Sequence, residues 1–510
     1  MEQLSGLEVY LDSVVEERGT TYFLARHDEG AEKRLGVLGD TTGFEGVRHD
    51  ESGALLCPLT PAHAAALRDR LAWLRPVPLG LQTSAGFGDR LGLATPGHVR
   101  AAREFSLLPG EIPRFARNDK RLDNSPAGQA GVAPIFAQQS VRENARTGRT
   151  PQQVLDDATW GLFQVGWREP WGADADHLKT PADVDSFLAA GYTLYTIDPG
   201  DHVDNDAHTA PPAEVEAKIQ TLPWDALETT AQDVERQYLG RSFDLGGTAL
   251  TFDRELLWRA AAKYGRAIAH TVYMYRHLVE HLPERSDLSG RSGVELEVSV
   301  DETQTPTSPA EHLFVASELS RLGVRWVSLA PRFVGRFEKG VDYIGDLDTF
   351  AAEFARHVAV AQALGPYKLS LHSGSDKFSI YPIVAQAAGG LAHLKTAGTS
   401  YLEALRAVAQ AEPTLFREIL AFARERYEID RATYHVSAQL DRVPAPGVLK
   451  DTDLPGLFEQ FDARQVLHVT FGSVLDRFGG RLLATLREHE EVYYTLLESH
   501  FRRHLSLFTG

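Results

Sequence analysis

The chain has 510 residues and a formal charge of -18, from 52 basic and 70 acidic side chains. That balance argues against a general nucleic-acid binder or a protein held on an anionic membrane, although a few local cations can still reverse the field inside one pocket. With 43% hydrophobic and 24% charged residues the composition is that of a globular protein, and the single cysteine, Cys57, excludes internal disulfides and thiolate metal clusters.

The opening MEQLSGLEVYLDSV lacks the basic-then-apolar pattern of a secretion signal, and no run approaches about 18 apolar residues. A protein of the reducing cytoplasm, without a membrane span, is expected. Residues 1–75 read as a small α+β cap: LEVYLDSV, TTYFLARH and KRLGVLG are strand-like, and PAHAAALRDRLAWL (61–74) is a helix begun by Pro61 with Thr60 as its N-cap. Cys57 has no neighbouring base and reads as packing. RPVP at 75–78 is a junction.

From Leu79 the punctuation changes to short apolar strands alternating with helical runs, the signature of β-α units around a parallel sheet. Eight strands are predicted: 79–84, 132–139, 172–178, 192–198, 294–300, 324–330, 367–373 and 391–397. The third, GADADHL, has the poorest apolar pattern. Helices are predicted at 182–190, 252–282, 309–322 and 346–364, with long insertions near 85–131 and 199–251. Eight such units predict an α/β fold, a (β/α)8 TIM-type barrel over 76–400, flanked by the cap and by a mainly helical C-terminal appendage over 401–510 that is either an accessory or an oligomer surface.

In such a barrel the reactive side chains sit at the carboxyl ends of the strands. Those ends carry Asp174, Asp176, His177 and Lys179; Asp198, Asp201 and His202; Glu295, Glu297, Asp301 and Glu302; Arg332 and Glu338; His372, Ser373, Asp376 and Lys377; and His393 and Lys395. Glu295, Glu297, Ser299 and Asp301 share one strand face, which is better placed in the polar barrel interior than beneath helices. The other reading of Glu297 is a salt-bridged structural glutamate. His177 and His372, joined by carboxylates, suit a divalent transition metal, with His202 a competitor. His277 and His281, one turn apart on a long helix, read as a solvated face. No Walker A, HExxH or strand-following GxGxxG occurs, so a bound nucleotide has no support.

The blocks SAGFGDRLGLATPGH (84–98), IFAQQSVRENARTGRTP (135–151), GADADHLKT (172–180), EVSVDETQTPTSPAEH (297–312), APRFVGRFEKGVDYIGD (330–346) and KLSLHSGSDKFSIYP (368–382) resemble the tagaturonate epimerases, also used as tagatose 4-epimerases on neutral ketohexoses. The resemblance implies interconversion of D-tagaturonate and D-fructuronate on a barrel with a divalent cation (Zn, Mn, Ni or Co). It implies Asp176 as proton acceptor, Glu297 as the opposing acid, and His177 and His372 as metal ligands, with Glu338 or Asp342 as a third. Arg332, Lys377 or Lys395 is then expected to receive the substrate carboxylate, with Ser373 and Asp376 also binding the sugar. The inverted carbon lies β to the ketone, so enolisation cannot invert it; retro-aldol cleavage and re-closure can. The partner expected is a small ketohexuronate or ketohexose, with no nucleic acid or membrane and an open possibility of homo-oligomers. A sugar-acid aldolase or ketol isomerase shares the same residues, and a non-catalytic sugar-binding protein is the third reading.

Overall fold

Apolar alternation in the first sixty positions builds an antiparallel sheet outside the barrel. The computed structural model describes residues 6–27, 32–49, 52–106, 131–246, 249–282, 293–396 and 398–509. Strands β1 (Leu7–Glu17), β2 (Thr20–His27), β3 (Lys33–Leu38), β4 (Val47–Arg48) and β5 (Leu55–Pro58) pair in the order β1-β2-β3-β5-β4. The period of two divides β2: Tyr22 and Leu24 join the main core, whereas Phe23 and Ala25 close a small cluster on the other face. Thr60 caps the helix Pro61–Arg70, its hydroxyl accepting from the His63 amide at 3.3 Å. Cys57 is fully buried, and burial pushes its thiol up to about 11, in keeping with packing.

The following strands are β6 (Ser84–Gly88), β7 (Ala133–Ser140), β8 (Gly172–Leu178), β9 (Leu194–Ile197), the hairpin β10 (Ser242–Asp244) and β11 (Ala249–Thr251), then β12 (Glu295–Val300), β13 (Ser328–Pro331), β14 (Lys368–Leu371) and β15 (Ala392–Lys395). All but the hairpin close a parallel eight-stranded barrel in the order β12-β13-β14-β15-β6-β7-β8-β9. GADADHL is a barrel strand in spite of its weak pattern: Ala173 and Ala175 pack outward into the main core, and Asp174 and Asp176 stand on the opposite, inner face.

Two predicted strands shift. The first was expected at 79–84 and forms at Ser84–Gly88; Leu79 instead packs with Ala133, Ile135 and Leu194 in a separate cluster, and the Leu79 and Gly80 amides donate to the Glu295 carboxylate. The apolar alternation there fills one end of the barrel. The sixth was expected at 324–330 and begins only at Ser328, because the Val324 amide still closes the preceding helix on the Leu319 carbonyl.

The insertion near 199–251 holds the short helices Pro212–Gln220 and Ala231–Tyr238 and the β10–β11 hairpin. Of the expected insertion near 85–131, β6 and the helix Thr95–Phe105 account for the first part, and 107–130 lie outside the described residues. Beyond the barrel run the helices Thr399–Ala411, Pro413–Asp430, Phe461–Val469, Phe471–Glu488 and Glu490–Phe508. The last of them presses on Thr95–Phe105 so closely that a Cβ at Gly97 would lie 2.7 Å from the Leu497 Cβ. No described helix is long and apolar enough to cross a membrane.

Candidate active site and metal centre

The barrel interior is polar where the strands end. One ammonium, that of Lys395 on β15, stands among three carboxylates: Asp176 at 2.7 Å, Asp174 at 2.8 Å and Glu297 at 2.9 Å. The Thr196 hydroxyl also lies 2.7 Å from it. Burial disfavours all these charges, yet Lys395, with His177 and His372, holds Asp176 well below the usual carboxylate range, and Lys395 and His372 do the same for Glu297. Asp174 goes the other way, pushed up to about 6 by burial against the pull of Lys395. The three acids in turn hold Lys395 charged against its burial.

His372 sits just beyond β14. Its Nε2 is 2.7 Å from Glu297 and its Nδ1 3.1 Å from Asp301. His177 places Nδ1 2.9 Å from Asp198, leaving Nε2 facing Asp176 at 3.8 Å. A carboxylate behind an imidazole fixes its tautomer and aims the other nitrogen, the usual support for a metal-binding histidine. The two rings meet edge to face at 4.9 Å. Despite burial, the surrounding acids hold His177 at about 10 and His372 at about 9. His177 and Ser373 also carry left-handed backbones, with φ of 54° and 48°, a conformation that costs non-glycine residues about 1–3 kcal/mol and clusters at functional sites.

Donor atoms of Asp176, His177 and His372 all lie within 4.8 Å of one another. Two imidazoles and a carboxylate suit a divalent transition ion. The fit is also electrostatic: the acids favour one extra positive charge on each ring, and a dication bound to two neutral imidazoles would supply the same total.

A cavity of about 380 Å³ opens over these groups, lined by Asp301, Glu302, Arg332, Arg336 and Phe337 among others. It adjoins a small chamber of about 20 Å³ lined by Gln138, Glu143, Asp176, His177 and Lys395. Arg142, Lys339, His372, Ser373 and Tyr434 line both. The larger volume is the size of a small-molecule site.

Of the predicted residues, Asp176, His177, Glu297, His372 and Lys395 come together here; Ser373 lines both chambers and Arg332 the larger one. Three are held in contacts of their own. Glu338 is outside the donor group, because its carboxylate accepts from the Ser437 amide at 2.9 Å, the Ser437 hydroxyl at 2.7 Å and Gln465 Nε2 at 2.9 Å. Lys377 is fully buried, its ammonium donating to the carbonyls of Glu338, Val341 and Ser375. Asp376 lies behind the loop, 2.9 Å from Arg464, with the His504 ring accepting from its amide. Asp342 bonds Ser379. Glu295 belongs to the Leu79–Gly80 turn, and His202 is exposed and stacked on His270 at 4.0 Å. His277 pairs with Asp185 on the exposed helix face expected for it. Gln138, Arg142, Lys339 and Tyr434 were not singled out. The first three stand inside the blocks that carried the resemblance; nothing local to Tyr434 points to the site.

Comparison with known proteins gives a consistent result. A family profile described as UxaE, tagaturonate epimerase, matches residues 10–114 and 126–508. A tagaturonate/fructuronate epimerase of Thermotoga maritima is 43% identical over 512 aligned positions, covering 99% of this chain and 98% of its own. A glycerol-complexed crystal structure of the fructuronate-tagaturonate epimerase UxaE from Cohnella laeviribosi superposes with a TM-score of 0.87 at 36% identity, covering 98% of this chain and 96% of its own. The native crystal structure of that enzyme gives 0.86 over the same shares. Matches of this extent and identity make the chain a member of the tagaturonate epimerase family, enzymes of the isomerase class.

Proposed function

We propose that the protein interconverts D-tagaturonate and D-fructuronate by retro-aldol cleavage and re-closure, with a divalent cation held by His177 and His372 and the Asp176 carboxylate in reach of it. The observation that carries this reading is the meeting, at one small chamber, of two acid-supported imidazoles with an ionised carboxylate and an ammonium. When bound, the cation supplies Lewis-acid polarisation of the ketone and its neighbouring hydroxyl.

The remaining work falls to the chain's own side chains. Asp176, kept ionised by Lys395, His177 and His372, opens on the small chamber and takes the proton of the hydroxyl on the carbon to be inverted. The bond from that carbon toward the ketone breaks, its electron pair staying with the ketone fragment as an enediolate. The other fragment, now an aldehyde, turns by half a rotation. The bond re-forms on its opposite face, and the proton returns from Asp176 to the new alkoxide. Lys395 faces the same chamber and stabilises the oxyanion at each stage. Glu297 is fully buried and absent from the cavity wall; its hydrogen bond orients His372. Asp301, on the other side of His372, is a carboxylate that lines the larger chamber. Arg332, also on that wall, contacts the sugar. The cleavage needs no carboxylate on the substrate, so D-fructose and D-tagatose are slower substrates in this reading, lacking an ionic anchor.

The test is turnover of D-fructuronate followed by NMR on chelator-stripped protein, then after adding Mn, Ni, Co or Zn. Tagaturonate formed only with metal is the expected result. Three-carbon products would make the enzyme an aldolase, and turnover undiminished by chelation would remove the cation from the scheme.

A further inference from the structure

We propose that the ammonium of Lys339 is the anchor for the substrate's carboxylate, and that the C-terminal region serves the reaction by fixing the backbone that presents it. The proposal rests on the hexuronate reading above and adds the residue that recognises the acid group.

The argument starts from the cations around the joined chambers. Arg90 bonds Glu143 at 2.5 and 3.0 Å and covers the Phe471 ring at 3.7 Å. Arg142 bonds Glu302 at 2.8 Å, and Arg336 is exposed and 3.4 Å from Glu338. Lys395 is shared by three acids. Among the described residues, only Arg332 and Lys339 of this set have side chains without a hydrogen bond or ion pair. They differ in position: Arg332 lines the larger chamber alone, whereas Lys339 stands where the two chambers share a wall. An unpaired, largely buried cation is costly for folding, and an anion entering the cavity would relieve that cost.

Lys339 is also held from both sides. Before it, the Glu338 carboxylate is clamped by Ser437 and Gln465. After it, Gly340 turns with φ of 73° and its carbonyl accepts from Arg464 Nε at 2.5 Å. Gln465 Nε2 also reaches the Lys339 carbonyl at 3.4 Å. All three anchors belong to the C-terminal region. Fixing the backbone leaves only the lysine stem to be ordered when the substrate arrives, which lowers the entropic cost of binding.

Steady-state kinetics of Lys339→Met, Lys339→Arg and Arg332→Met on D-fructuronate test this directly. The expected result is a KM about 30-fold higher in Lys339→Met with kcat within about threefold, the size of one charge-assisted contact. Lys339→Arg should stay within about fivefold of the parent KM, and Arg332→Met should change KM less than Lys339→Met does. A KM within about threefold of the parent in Lys339→Met, or a larger KM rise in Arg332→Met, overturns the proposal while leaving the epimerase reading intact. Should Lys339→Met fail to fold, Lys339→Gln, which keeps a polar end in the chamber, carries the same expectation. If the parent turns over no hexuronate, the epimerase reading fails, and calorimetry with D-galactonate then decides this one. Binding lost in the lysine variant supports it; equal binding, or none by the parent, overturns it.

Discussion

Two clusters of one aspartate and two histidines flank the loop 372–377, and they are opposites. On the cavity side His177 and His372 are ringed by Asp176, Asp198, Glu297 and Asp301, and those acids raise both imidazoles against their burial. On the outer side His500 and His504 meet Asp376, at 3.4 and 4.0 Å, and burial lowers both. The guanidinium of Arg464 already neutralises Asp376 at 2.9 Å. Both nitrogens of His504 are engaged as well, one accepting from the Asp376 amide and the other bonded to the His500 carbonyl. In either triplet the donor atoms lie within 4.8 Å of one another. The direction in which the surroundings push the two imidazoles, raised by acids on the cavity side and lowered by burial on the outer side, separates a centre fit for a cation from a structural lock.

The largest effect that sharpens this contrast is catalytic. His177→Ala and His372→Ala should each lower kcat/KM by about 10³-fold or more and reduce the metal content measured by mass spectrometry. His500→Gln should leave the metal content unchanged; loss of metal there would break the comparison. Next comes stability. Arg464→Met removes one partner of a buried pair and two carbonyl contacts, to Gly340 and Phe458, and should cost about 3–5 kcal/mol in denaturant unfolding. A change below about 1 kcal/mol would mean that the outer cluster is no lock.

The smallest effect is a pH dependence in the outer cluster. Burial pushes Glu403 up to about 7, against the pull of Arg406 and Arg464, and its carboxylate lies 3.3 Å from His500. A carboxyl raised in the folded state contributes stability that is fully present below its unfolded value near 4.5 and is lost as pH rises through 7. Glu403→Gln should therefore remove a fall on the order of 2 kcal/mol between about pH 4.5 and 7.5, read from thermal midpoints at both ends. The same fall in parent and variant would place the titration elsewhere.

Much of the barrel was legible because a strand with one face under helices and one in the interior writes its period into the sequence. VAPIFAQQ, GADADHL and VELEVSV sit within a residue or so of their predicted bounds. The first strand was not legible. SAGFG has little β propensity, and its glycine lets a neighbour in: a Cβ at Gly86 would lie 2.8 Å from Gln138 Oε1. In the site, strand-end position nominated Asp176, His177, His372 and Lys395, which the structure brings together, and equally Lys377, Asp376 and Glu338, which it holds in contacts of their own.

By itself, then, the sequence determined the alternation of strands and helices, the acidic and imidazole chemistry at the strand ends, and the family resemblance. All of these are encoded within a few residues of one another, in spacing and residue type. Only the tertiary structure decided which of those charged groups stay free. Lys377 is closed off by carbonyls from Glu338 and Val341, and Glu338 by Ser437 and Gln465 about a hundred positions away, while the side chain of Lys339 beside it has no hydrogen bond or ion pair among the described residues. Whether a charge is free for a ligand depends on which distant groups desolvate and bond it, and that is set by packing rather than by neighbours in the chain.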